Sequence, residues 1–371
     1  VYVRPRRVEL LLALLGVAVV PGFLVLAEGG LALAGRAGVT NETSSGIDLL
    51  HRYSEVYGWE PRPGARIEYD GSVVTINADG YRGQRLPRER ETDATRVVLL
   101  GDSIAFGLDV NDDDTYASLL NARPNGLEVV NLAVQGYGPG QSLLKLEREG
   151  MAYHPDVVIL AFCVSNDFAE AVLPTFLYDG VHPKPYFTVE AGQLVRHDAH
   201  LKLGIAARTA FWLEDHSRLY RWLTAPAPPP EPPRQVDNPW RQRRRDALGD
   251  RDTVIETTFR IIARMRAVAA SQGAAFLVVL HPDQEAARGE SFWADAFESA
   301  PLLEGIPVVD LGKRMAEQHL RFKQVARDEI GHLNPRGHEL AAEAVEQALE
   351  ELGLLHYRAV ELTGTTPRPP L

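Results

Sequence analysis

The stretch RVVLLGDSIAFG, residues 96–107, runs from four consecutive aliphatic residues straight into Gly101, Asp102 and Ser103. An unbroken apolar run reads as a strand covered on both faces, whereas Gly-Asp-Ser is the composition of a turn. A strand that turns tightly into a helix marks the edge where a parallel sheet opens its ligand crevice. The hydroxyl of Ser103 is therefore expected at the C-terminal edge of a sheet.

The same beat repeats outward from that point. A helical stretch at 114–123 precedes LEVVNLAVQG, and a second at 139–154 precedes DVVILAFCVSND. An amphipathic stretch at 252–271 then leads to AAFLVVLHP, and a further helix to IPVVDL. Five apolar strands separated by helices predict a doubly wound α/β domain with a five-stranded parallel sheet and helices on both faces. Within it, residues 168–250 read as an insertion. They hold a hairpin at PYFTVEAGQLVRH, an aromatic helical stretch FWLEDHSRLYRWL, and the proline-rich TAPAPPPEPPRQ, whose prolines favour an extended linker. The insertion reads as either a substrate lid or a peripheral decoration. Residues 36–92 read as a small turn-rich lobe with short strands, 93–356 as the main domain, and 357–371 as a tail.

Composition excludes several classes. With 39 Lys and Arg against 50 Asp and Glu, the formal net charge is −11, unsuited to a nucleic-acid partner. The run RQRRR at 241–245 reads as a solvated surface. One cysteine, Cys163, provides neither a disulfide framework nor a thiolate metal cluster. No metal site and no cofactor are expected, because no His pair stands at ligand spacing with a carboxylate. A nucleotide-binding module is disfavoured, since neither phosphate-loop glycine pattern follows the first strand.

Three arginines precede an apolar segment that carries no charge from residue 10 to 27, close to the length needed to cross a bilayer. Residues 1–35 thus read as a membrane anchor with everything after them outside the cytoplasm, periplasmic or at the cell surface. Cleavage near Ala34, releasing a secreted chain, is the alternative reading.

Polar groups gather at predicted strand ends. Ser103 follows the first strand, Gly136 the second and Asn166 the third, while His332 precedes a helix with Asn334 as N-cap and Pro335 in its first position. Leu340, Val345, Ala348 and Leu352 would pin that helix to the sheet, with His338 on its outer surface. A serine needs a neighbouring base to become a nucleophile, and a neutral imidazole is suited to that task near pH 7. His332 is the candidate base, with Asp328 or Glu329 as the acid that orients it. The amides of Ser103 and Gly136 and the carboxamide of Asn166 could supply donors to a developing oxyanion.

GDSIAFG, the glycine of NLAVQGYG, the Asn-Asp of VSND and the histidine of DEIGHLNPRGH, in that order, resemble the four blocks of the SGNH hydrolases, also called GDSL esterases and lipases. The resemblance spans roughly residues 95–350. It implies a flavodoxin-like three-layer α/β/α fold with a five-stranded parallel sheet, Ser103 as nucleophile, Gly136 and Asn166 as oxyanion donors, and His332 as base. The anchor and the stretch Asn77-Ala78-Asp79-Gly80-Tyr81-Arg82 more weakly resemble bacterial membrane-anchored members. Two positions depart from the family pattern: Val164 stands where a glycine is usual, and Glu329 occupies the usual place of the triad aspartate, with Asp328 one residue earlier. The expected activity is hydrolysis of a small-molecule or glycan ester. The alternatives are O-acetyl transfer to a cell-surface glycan and non-catalytic binding outside the cytoplasm.

Overall fold

The computed structural model describes residues 50–124, 126–224, 239–289, 291–298 and 300–355, together with a helix α1 at residues 22–23, 25–31 and 33. Most of the apolar N-terminal run, the proline-rich 225–238 and the predicted tail lie outside the described residues. No described helix is long and apolar enough to cross a membrane.

The lobe before the main domain is two antiparallel hairpins, β1 (His51–Ser54) with β2 (Gly58–Pro61) and β3 (Arg66–Tyr69) with β4 (Ser72–Thr75). Then come β5 (Thr95–Leu100), α2 (Ser103–Phe106), α3 (Tyr116–Ala122), β6 (Leu127–Asn131), α4 (Pro139–Arg148), β7 (Val157–Cys163) and α5 (Asp167–Val172). The insertion contributes the hairpin β8 (Tyr186–Glu190) and β9 (Gln193–His197), followed by α6 (Ile205–His216), α7 (Arg218–Thr224) and α8 (Pro239–Ala247). The aromatic stretch predicted as one helix is thus broken at Ser217. The chain closes with α9 (Arg251–Ala270), β10 (Ala275–His281), α10 (Phe292–Glu298), β11 (Val308–Asp310), α11 (Leu311–Glu317) and α12 (Pro335–Glu351).

Five strands form one wholly parallel sheet in the order β11-β10-β7-β5-β6. Every residue of β5 and β7 is buried, which is why these strands read as continuous apolar runs. Alternation still sorts their faces. Val98, Leu100 and Leu160 pack with Leu143 of α4 and Ile262 of α9, whereas Val97, Leu99 and Ile159 pack with Leu120 of α3 and Val345 of α12. The sheet runs 2-1-3-4-5 in the order in which its strands occur along the chain, so it reverses between β5 and β7. A crevice opens at the carboxyl ends of strands at such a reversal.

Helix α12 starts as its sequence predicts: the Asn334 side chain accepts from the Gly337 amide at 3.0 Å, with Pro335 in the first turn. Two expectations on it are corrected. His338 is buried, not on the surface, because it shares a face with Ala341, Ala342 and Val345, three, four and seven residues on. Leu352 caps the helix and is exposed, so it pins nothing.

Candidate active site

Ser103 opens α2 directly after β5. Gly101 permits the turn: its φ is +153°, and a Cβ there would lie 2.9 Å from the Ala161 carbonyl oxygen and 3.0 Å from Ala105. Asp102 is the N-cap, its Oδ1 accepting from the Ile104 amide at 2.9 Å. The serine hydroxyl is left free to meet an imidazole, and it lies 2.8 Å from His332 Nε2. The two residues are 229 positions apart in the chain.

The loop carrying His332 is held from both sides. The Arg327 amide donates to the His332 carbonyl at 2.8 Å, the Asn334 amide to the Val325 carbonyl at 3.0 Å, and α12 follows at once. Asp328 folds the loop around itself: its Oδ1 accepts from the amides of Ile330, Gly331 and His332 at 3.1, 2.9 and 3.1 Å. That leaves Oδ2 to meet His332 Nδ1 at 2.6 Å. Glu329, the other candidate acid, does not meet the imidazole; it is exposed and ion-paired with Arg241 of α8. A second carboxylate, Asp109, stands 3.7 Å from His332 Nδ1. It belongs to the loop after α2, where no sequence signal marks it out.

Charges around the ring shift both partners. Burial pulls the His332 pKa down, but the Asp328 hydrogen bond and the negative charges of Asp328, Asp109 and Asp102 outweigh it, leaving the ring above its usual 6.5. Burial raises Asp328, yet the His332 hydrogen bond and charge, with the loop amides, bring it to about 2. An ionised carboxylate on Nδ1 leaves Nε2 as the acceptor for the serine proton.

Asn166 occupies the N-cap position of α5, but its side chain makes no capping bond. Instead its Nδ2 donates to Asp102 Oδ2 at 3.0 Å across the crevice, and its Oδ1 accepts from the Ser165 hydroxyl at 3.3 Å. A carboxamide nitrogen has two hydrogens, so a second donor is left after Asp102 has taken one. Asp102 is fully buried and burial holds its carboxyl above the usual range, opposed by the Asn166 bond. The sequence presents it only as turn composition. Gly136 follows β6 with φ +75°, where a Cβ would sit 2.8 Å from the Phe176 ring and 3.3 Å from Trp59. Val164, at the position where a glycine was expected, is buried and donates its amide to the His281 carbonyl at 3.1 Å, extending the sheet ladder past Cys163.

Arg82 ties the small lobe to the loop after α2. Its guanidinium donates to the carbonyls of Phe106, Gly107, Val110 and Val73 and pairs with Asp112 at 3.0 Å. The weakly matching stretch 77–82 is thus a brace for the segment that carries Ser103 and Asp109. Deeper in, His281 and His338 flank the Tyr116 ring, with centroids 6.0 and 5.7 Å away, and His338 Nδ1 accepts from the Tyr116 amide. Two cavities flank the crevice. One of about 430 Å³ is lined by Trp59, Gln135, Phe176, Leu203 and Phe211, and one of about 370 Å³ by Ser165, Trp240, Arg244, Glu329 and Ile330. Among the described residues no three His, Cys, Asp or Glu side chains are grouped to hold a metal ion.

Fold and site together define a doubly wound α/β chain with a Ser-His-Asp relay at the reversal of its parallel sheet. No protein-family model matches the sequence, and no curated protein matches it. Among solved structures, it is similar to a member of the lipolytic protein G-D-S-L family from Veillonella parvula, at 12% identity over 69% of this chain and 99% of that one, TM-score 0.39. It is also similar to the psychrotrophic esterase EstA from Pseudoalteromonas sp., at 9% identity over 70% and 98%, TM-score 0.39. A two-domain esterase active on acetylated mannans aligns at 14% identity over 70% of this chain and 50% of that one, TM-score 0.39.

Proposed function

We propose that this protein is a serine ester hydrolase working through an acyl-enzyme on Ser103. The observation that carries the reading is the continuous relay from Ser103 Oγ to His332 Nε2 at 2.8 Å and from His332 Nδ1 to Asp328 at 2.6 Å. In the first half-reaction Oγ bonds to the ester carbonyl carbon as its proton passes to Nε2. The carbonyl oxygen becomes an oxyanion, and the Ser103 and Gly136 amides with the second Asn166 hydrogen are the donors offered to it. As the carbonyl re-forms, the bond to the alkoxy group breaks and His332 returns the proton to the leaving alcohol. Water then attacks the acyl-Ser103 ester, giving a proton to Nε2; collapse restores the serine and releases the acid.

Asp328 orients the imidazole and stabilises its protonated form; Asp102 is a positioning residue acting through Asn166. The test compares p-nitrophenyl acetate hydrolysis by the wild type and Ser103→Ala. Loss of turnover to the uncatalysed rate supports the reading, and undiminished turnover rejects it.

A further inference from the structure

The insertion helices and α1 each carry exposed apolar side chains that the relay does not use. Phe23 and Leu26 of α1, Ile205 and Trp212 of α6, and Trp222 and Leu223 of α7 are each more than half exposed. They stand on neighbouring elements, since Glu28 joins α1 to the start of α7 and α7 follows α6 directly, and exposed apolar side chains gathered together mark a contact site. Ile205 and Trp212 stand seven residues apart, two helical turns, and so share the outer face of α6. Its inner side is already engaged: Phe211 stacks on Tyr53 at 4.5 Å, and Arg208 pairs with Glu55 at 2.7 Å.

The occupant is indicated by what joins the two parts of the surface. Glu28 is the first charge after the uncharged run 10–27. Its carboxylate accepts from the Ser217 hydroxyl at 2.9 Å and from the amides of Arg218 and Leu219 at 2.5 and 3.1 Å, capping α7. The end of the apolar run is therefore fastened to the start of α7. Wherever that run enters a bilayer, the start of α7 is held at its rim, and α6 and α7 each carry an exposed indole, a side chain that favours that level.

We propose that α6 and α7 lie on the surface of a phospholipid bilayer beside α1, with Trp212, Trp222 and Leu223 in its headgroup region. This rests on residues 10–27 being membrane-inserted. Through Phe211, α6 also lines the cavity that Gln135, the neighbour of Gly136, lines as well. The surface thereby sets that cavity next to the lipid.

The full chain, reconstituted in phosphatidylcholine vesicles with brominated acyl chains, provides the test. Bromine should quench tryptophan emission in the wild type, and a Trp212→Phe, Trp222→Phe variant should lose most of the quenched part. Equal quenching in the two overturns the surface. So does its absence from a chain that floats with the vesicles, including the case where the indoles are shielded from acrylamide, which would assign the face to a protein partner. A chain that fails to float overturns the inserted run and this surface together. Fluorophosphonate labelling of Ser103, followed in parallel, reports folding of the variant and judges the esterase reading separately.

Discussion

The imidazole of His332 sets how the site responds to pH. It must be neutral to take the serine proton, and its carboxylate neighbours raise its pKa above 6.5. The rate should therefore climb with pH through an inflection above 6.5. Asp328→Asn removes the largest opposing influence to burial, so the inflection should move to lower pH while kcat falls by about 10³- to 10⁴-fold. Glu329→Gln should leave kcat within about twofold, since that side chain points to Arg241 and surface ion pairs contribute little. A pH–rate profile of each variant checks both statements, and an Asp328→Asn inflection at or above the wild-type value would refute the orientation role. Asn166→Ala should cost about 2.7–4 kcal/mol of transition-state stabilisation, the size found for one oxyanion donor. Stopped-flow kcat is the readout, and a change below about threefold would remove Asn166 from the site.

At the scale of elements, the segment after α2 depends on a residue from another lobe. Arg82 is almost fully buried and satisfies carbonyls on both sides of Gly107. Arg82→Ala leaves several of them unpaired, and destabilisation of about 3 kcal/mol or more is expected, measured by urea unfolding. The elements themselves were legible: β5, β6, β7, β10 and β11 are apolar runs ending on turn residues, and α12 opens with Asn334-Pro335. What the sequence hid was settled by contacts distant in the chain. Asp328 and Glu329 are adjacent carboxylates, and the choice between them was made by three backbone amides whose direction no side-chain pattern encodes. Asp109 meets His332 across 223 positions of chain, and Arg82 braces the loop that carries Asp109 only because the small lobe packs on it. His338 read as surface because a histidine interrupts an apolar face that its spacing from Ala341 and Val345 would have revealed.

The whole molecule carries an acid weakness in its core. Burial holds His281 and His338 at about 3, far below their unfolded value of 6.5, so the unfolded chain binds protons first as pH falls. Stability from these two groups is complete above pH 6.5 and is lost progressively between 6.5 and about 3. His281→Leu should flatten that loss, compared as urea midpoints at pH 7 and pH 5; an unchanged difference between the two would exclude His281 as a source. The fold itself meets at one point: a hydroxyl after β5 and an imidazole before α12, with a carboxamide after β7. The most direct measurement of that convergence is peptide mapping after reaction with a fluorophosphonate. A phosphonyl adduct on Ser103 in the wild type, greatly slowed in His332→Ala, is the expected result. An adduct elsewhere, or a Ser103 adduct formed as fast without His332, would contradict the account.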